Sequence, residues 1–239
     1  MRAQGVPWGI ELGNHPLHVI FDTKGKINGI VSEIYKFITK SSYKPLSLIR
    51  LWKTDINTSQ DPDWCVVWSN ISLSSRNPDH QMIHYRLIHR FYLTPRRLQQ
   101  MKLRDNSYCD FCTDNIIATF YHMVWQCPEV NRFWYSVSSI MSSIIKGPIP
   151  LSPCLLLLND TSSLKLTINN RRRLLAGLTA AKRMIVCRWK PPHTLLMRRW
   201  LSSYRDIVQL ELSTARLHYA KMSNIDCWSE LLEKINEMM

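Results

Sequence analysis

Three times within 35 residues this sequence sets a short polar side chain directly before a proline: Asp61-Pro62, Asn77-Pro78 and Thr94-Pro95. Each pair suits a helix start. The polar oxygen accepts a free amide of the first turn, and proline at the first helical position lacks an amide that would go unpaired. Recurrence at this interval commits the region to successive short helices. The first should bury Trp64, Val67, Trp68 and Ile71. The second should run through Ile83, Leu87 and Phe91, and the third should carry Arg96, Arg97 and Lys102. Apolar stripes at helical spacing lie on both sides: Ile27, Ile30, Val31, Ile34, Tyr35 and Ile38, then Val130, Phe133, Trp134, Val137, Ile140, Met141 and Ile144. Only 7 glycines in 239 residues leave few sites for the positive-φ turns of a hairpin-rich β protein or for a phosphate-cradling loop. The expected fold is mainly α.

Four regions follow from the pattern. Residues 1–26 read as an irregular lead-in and 27–146 as a helical region. Residues 147–163, with Gly147, Pro148, Pro150 and Pro153, read as a linker. Residues 164–239 read as a basic helical tail. Its first helix passes through Leu174, Leu178, Ala181, Ile185 and Trp189 to stop at Pro191-Pro192, a second covers about 194–221, and a third carries Trp228, Leu231, Leu232 and Ile235. No apolar run reaches the roughly 20 residues of a membrane helix. The first residues, Met1 to Pro7, lack the apolar stretch of a secretory signal. A cytoplasmic or nuclear protein, neither secreted nor membrane-bound, is expected.

The helical region contains Cys109, Cys112, His122 and Cys127, a C-x2-C-x9-H-x4-C spacing. A two-residue spacer lets both thiolates of a tight turn face one point, as tetrahedral zinc requires. Residues 120–125 should be helical and present His122. Cys127, five residues on, falls about 140° round an ideal helix and cannot share that face, so the chain must leave the helix there. Pro128 favours this, because it disfavours helical φ/ψ at the residue before it. Four ligands would close the coordination shell, so one structural Zn2+ with no open position for water is expected. A disulfide, or thiols in an apolar core, remain the alternatives. Cys65, Cys154, Cys187 and Cys227 read as simple buried thiols.

The net charge of +13 is concentrated. Residues 76–104 hold seven Lys/Arg and one acid, and residues 165–205 hold eleven Lys/Arg and no acid, so the rest of the chain is net acidic. Such patches favour a polyanionic partner, RNA or DNA, because cations that neutralise phosphates release condensed counterions. Candidate phosphate contacts are Arg96, Arg97, Arg171, Arg172, Arg173, Lys182, Arg183, Arg198 and Arg199. Tyr92, Phe111 and Trp125 are candidates for stacking on bases, with core packing favoured for Trp125. Solvated helix faces would explain the same charges.

The run from Tyr85 to Leu98 (YRLIHRFYLTPRRL), the Cys109-x2-Cys112 pair, the segment His122-Met123-Val124-Trp125-Gln126-Cys127-Pro128 and the pair Phe133-Trp134 together resemble the C-terminal zinc-binding part of LINE-type non-LTR retrotransposon reverse transcriptases. Trp64 with Trp68-Ser69-Asn70-Ile71 is similar to the lead-in of that block. Ala180-Ala181-Lys182-Arg183, with Ile185 and Trp189-Lys190, is similar to its basic tail. The likeness spans about 27–145 and more loosely extends to 205. Two positions depart from the family. Ala118-Thr119 stands where Gly-Thr is usual, which would strain Ala118 by about 1 kcal/mol if that residue takes positive φ. The aromatic of the knuckle is Phe111, beside the second cysteine rather than the first.

The resemblance implies a region that helps a polymerase hold template RNA or target DNA, present here as a separate or truncated chain. It does not imply catalysis. The family's metal-binding aromatic-x-Asp-Asp turn is missing because the sequence has no Asp-Asp pair, and Asp61-Pro62-Asp63 is explained by capping. No P-loop, HExxH or G-x-S-x-G occurs. The expected role is therefore non-catalytic nucleic-acid binding. The alternatives are a protein-interaction module docking on a reverse transcriptase core through exposed apolar area on helices 27–40 and 194–221, or a retroelement relic without function.

Overall fold

The computed structural model describes residues 47–57, 61–112, 115–187, 195–218 and 222–239, together with Ser32 and Tyr35. The chain divides into two compact units, Met1–Leu51 and Trp52–Met239. Of the first stripe only Tyr35 is described; it is helical and exposed, and Ile27, Ile30, Val31, Ile34 and Ile38 lie outside the described residues. Ordered along the chain are α1 (Ser47–Ile56), α2 (Trp64–Ser74), α3 (Pro78–Ile88), α4 (Pro95–Gln100), a π-helical turn (His122–Gln126), α5 (Pro128–Ile145), α6 (Pro153–Leu158), α7 (Ile168–Cys187), α8 (Met197–Leu217) and α9 (Met222–Met238). Among the described residues the only β pairing is one isolated antiparallel bridge, Tyr108 with Ile117. The fold is mainly α.

Two of the three expected caps form as the sequence implies. Asn77 accepts from the Asp79 amide and Thr94 from the Arg97 amide, each followed by proline in the first turn. The third start is shifted. α2 is capped by Asp63, whose carboxylate accepts from the amides of Cys65 and Val66, and Asp61 instead pairs with Lys53 at 2.9 Å. The reason is tertiary: the Asp63 amide donates to Asp160 Oδ2 at 2.9 Å, which fixes the chain outside the helix at that residue.

α7 is the centre of the second unit. It packs against α2, α3, α5, α6, α8 and α9. Residues 174 to 182 are all buried, so the helix is enclosed on every side, as an all-round apolar helix must be. Its small residues Ala176, Gly177, Ala180 and Ala181 let neighbours approach closely. From α8, Trp200 donates its indole N–H to the Gly177 carbonyl at 3.1 Å and Tyr204 its hydroxyl to the Arg173 carbonyl at 2.8 Å. The α5 stripe behaves as expected: Val130, Phe133, Trp134, Val137, Met141 and Ile144 are buried, and Ile140 is half-buried.

Two expectations of the domain reading change. The stretch 147–163, expected as a linker, contains α6, whose Leu155, Leu156, Leu157 and Leu158 are buried against α3 and α7. Four consecutive leucines need a core on more than one face, and they outweigh the prolines around them. The basic tail is likewise no appendage. Arg171, Arg172 and Arg173 crowd the first turns of α7, but the eight residues after Arg173 are uncharged and form the core of the unit.

Candidate metal centre

The cluster is assembled from two local devices. Residues 107–112 and 115–118 are tied to each other: the Cys109 amide donates to the Ile116 carbonyl at 2.9 Å and the Ala118 amide to the Ser107 carbonyl at 2.8 Å. Asn115 takes φ 48, a conformation that asparagine tolerates better than most side chains. Arg104 braces the outside, donating to Asp110 Oδ2 at 3.0 Å and to the Tyr108 carbonyl at 3.4 Å. Ala118, the departure from Gly-Thr, is buried and does not take positive φ, so the expected strain is absent.

The second device is the turn that carries the histidine. Thr119 Oγ1 accepts from the His122 amide at 3.1 Å, and the Cys127 amide donates to the His122 carbonyl at 2.9 Å. That i to i+5 closure is a π turn rather than the α turn expected for 120–125. A wider turn brings residue i+5 back beside residue i. The separation of Cys127 from His122 round an ideal helix is thus removed within the helix itself, and Cys127 then leaves with ψ 127 to open α5 at Pro128. Trp134 of α5 fixes the turn by donating to the Val124 carbonyl at 2.9 Å.

The result is one ligand set. The ligand atoms of Cys109, Cys112, His122 and Cys127 lie within 4.8 Å of one another. Cys112 Sγ is 3.3 Å from His122 Nε2 and 3.5 Å from Cys127 Sγ. Ligands bonded at 2.0–2.3 Å to a tetrahedral ion stand about 3.3–3.8 Å apart, so these two edges already match and the longest needs to close by only about 1 Å. Cys109, His122 and Cys127 are buried, and no disulfide joins the cysteines. The thiols share protons unequally. Cys127 is pushed down to about 5, first by the Cys109 thiol donating to it and further by the Val130 and Glu129 amides at the start of α5. Cys109, the donor, is pushed up. The cluster could hold one metal ion.

No family model and no curated protein matches this sequence. The other cysteines do not all follow expectation: Cys227 is buried and Cys154 half-buried, but Cys65 and Cys187 are exposed.

The basic candidates separate into three groups. Arg96, Arg97, Arg183, Arg198 and Arg199 are exposed, as a phosphate contact requires. Arg171 and Arg172 are half-buried. Arg173, also half-buried, is committed to contacts within the protein, and Lys182 is enclosed. Arg173 donates to the Cys227 carbonyl at 2.7 Å and pairs with Glu230 at 3.1 Å, tying α7 to α9. Lys182 has no exposed surface; its Nζ lies 2.6 Å from Asn159 Oδ1 and 3.0 Å from His84 Nδ1. Burial drives the pKa of Lys182 well below the usual lysine value, and burial with the adjacent Lys182 drives His84 well below the usual histidine value. Charge counting along the sequence cannot distinguish a surface lysine from this one.

Trp125 is half-buried against Trp134, with ring centroids 6.4 Å apart. Phe111 is half-buried and lines a cavity of about 340 Å³ beside the cluster, together with Tyr92. Sequence reasoning missed Arg86, which lines one open polar groove with Arg183 and His80. Its place in the first basic stretch was the available signal. Among the described residues no helix is long and apolar enough to cross a membrane.

Proposed function

We propose that this chain is a non-catalytic nucleic-acid-binding region braced by one structural zinc ion at Cys109, Cys112, His122 and Cys127. Three thiolates and an imidazole in a buried site suit zinc, and four protein ligands leave no position for a reacting water. The metal would pin Cys109 and Cys112 to the π turn and to the start of α5. The resemblance to the C-terminal region of LINE-type reverse transcriptases supports the same role, holding RNA or DNA for a polymerase core.

The observation that carries the reading is the groove shared by Arg86 and Arg183. It joins the two basic stretches, nearly 100 positions apart in sequence, on one surface. Arg96 and Arg97 are exposed on α4, and Arg198 and Arg199 on α8. None of these six arginines is in an ion pair among the described residues. Cations left unpaired on a folded surface are available to phosphates.

Binding to single-stranded RNA should fall steeply with salt. Six phosphate contacts give a log–log slope near −4, a loss of a few hundred-fold between roughly 50 and 200 mM. Replacing Arg96, Arg97, Arg198 and Arg199 together with Ala should flatten the slope by up to about 3 units and leave the melting curve unchanged. Fluorescence anisotropy across a salt series measures this. Salt-independent binding, or no binding at low salt, defeats the proposal and favours docking on a protein partner.

A further inference from the structure

An aromatic surface runs from α2 to the end of α3. The His89 ring lies 4.3 Å from Tyr85, 5.4 Å from Phe91 with 21° between planes, and 5.6 Å from Trp68, which in turn lies 5.8 Å from Trp64. An aromatic cluster in a core needs no further explanation, but here Phe91 is 63% exposed and Tyr85 38%.

The backbone that holds Phe91 outward is specific. α3 closes with the Phe91 amide donating to the Arg86 carbonyl at 2.9 Å and the Arg90 amide to the Leu87 carbonyl at 3.1 Å. This is a Schellman turn, in which the left-handed position usually falls to glycine. Arg90 occupies it with φ 56. Its side chain turns inward, 4.4 Å over the Trp52 ring and 2.7 Å from Asp55. Arg90 thus locks the turn from below while the next residue, Phe91, stands in solvent.

On its other side Phe91 lines the cavity of about 340 Å³, with Leu93, Leu98, Phe111 and Met123 as apolar walls and the Arg104–Asp110 pair as its polar part. Phe111 sits between two ligands of the metal cluster, which fixes that wall in place.

We propose that this pocket receives one unpaired base of a single-stranded nucleic acid, with the base lying against Phe91. This rests on the nucleic-acid reading above and adds to it where a base is held. A base suits the site better than an apolar protein side chain for two reasons. Arg104 spends its donors on Asn106, Asp110 and the Tyr108 carbonyl, and the Asp110 oxygens keep lone pairs that can accept from the edge of a base, which an aliphatic side chain cannot use. Pro95 and Leu98 of α4 line the pocket while Arg96 and Arg97 of the same helix stand exposed for the adjoining phosphates. Stacking tolerates any base, so the site selects for unpaired bases rather than for sequence.

The test uses the full, zinc-loaded chain and two labelled oligonucleotides of about ten nucleotides, within the range of known single-strand sites. One carries bases and the other is abasic with the same phosphates. The native protein should prefer the base-bearing strand by about tenfold, the size of one base–aromatic stack. Phe91→Ala should abolish the preference with the salt slope unchanged, and Phe91→Trp should keep it. Because Phe91 is exposed, both variants should melt like the native protein. Equal affinity for the two strands, as a pocket built for an apolar peptide would give, overturns the inference. So does a preference that survives Phe91→Ala. In both cases salt-dependent binding would leave the parent reading standing. If neither strand binds at low salt, the nucleic-acid reading fails and this inference fails with it.

Discussion

Lys182→Met should flatten the rise of stability with pH on the alkaline side, below the ordinary lysine value of 10.5. In the native protein Nζ of Lys182 is enclosed, and its partners are Asn159 Oδ1 and His84 Nδ1, both uncharged when the histidine is neutral. Burial lowers its pKa well below 10.5, so the folded lysine is neutral at a pH where the unfolded chain still carries its proton. The unfolded state therefore binds the extra proton, and stability rises with pH from the depressed folded value up to 10.5. One such proton changes stability by about 1.36 kcal/mol per pH unit, so wherever the two states differ by that full proton the native curve should be steeper than the variant's by this amount. Methionine keeps the apolar stem but leaves Asn159 Oδ1 without its donor, at a cost of about 1–3 kcal/mol. The absolute stability of the variant should thus fall, and the difference in slope is the diagnostic quantity. Urea denaturation followed by helical circular dichroism, with matched ionic strength and zinc at each pH, measures it. The cysteines titrate alike in both proteins and cancel in the comparison. Parallel stability–pH curves would refute the reasoning, since they would mean that Lys182 keeps its charge in the folded state.

Further outcomes test the site and the core. Trp134→Phe removes the N–H that holds the Val124 carbonyl in the π turn, so zinc affinity measured by competition with a chromophoric chelator should drop by about tenfold, as for other changes to the support of metal ligands, with the helical signal retained. Excess chelator should by itself lower the melting temperature, and an unchanged melt would argue against a bound structural metal. A Cβ at Gly177 would stand 2.6 Å from Met141 Sδ and 3.4 Å from the Tyr204 ring, so Gly177→Ala should destabilise by about 1–2 kcal/mol in spite of its better helix propensity. Met141→Ala should relieve much of that cost, and denaturation of the double variant measures the coupling.

The parts of the fold legible in the sequence were those set by neighbours along the chain. Asn77 and Thr94 cap their helices because a side-chain oxygen reaches an amide two or three residues on, whatever surrounds it. The α5 stripe is buried because its spacing gives the helix a single apolar face. The four candidate metal ligands were found because their side-chain chemistry and spacing restrict what they can do together.

Other features depended on partners distant in the sequence. Asp63 rather than Asp61 caps α2 because Asp160, 97 positions away, holds its amide. The turn at His122 widens to π geometry with Trp134 of the next helix holding its carbonyl. The aromatics at the end of α3 read as an ordinary helical pattern, and only the inward turn of Arg90 onto Trp52 and Asp55 shows why Phe91 faces outward. Composition and spacing by themselves determined a helical, basic protein with one ligand cluster, because capping, periodicity and ligand chemistry act over a few residues. Which cations meet solvent was decided only by packing. Lys182 and Arg183 are adjacent in sequence, yet one is enclosed with His84 and Asn159 and the other lines an open groove, because successive residues of a helix point about 100° apart and α7 is surrounded by six others.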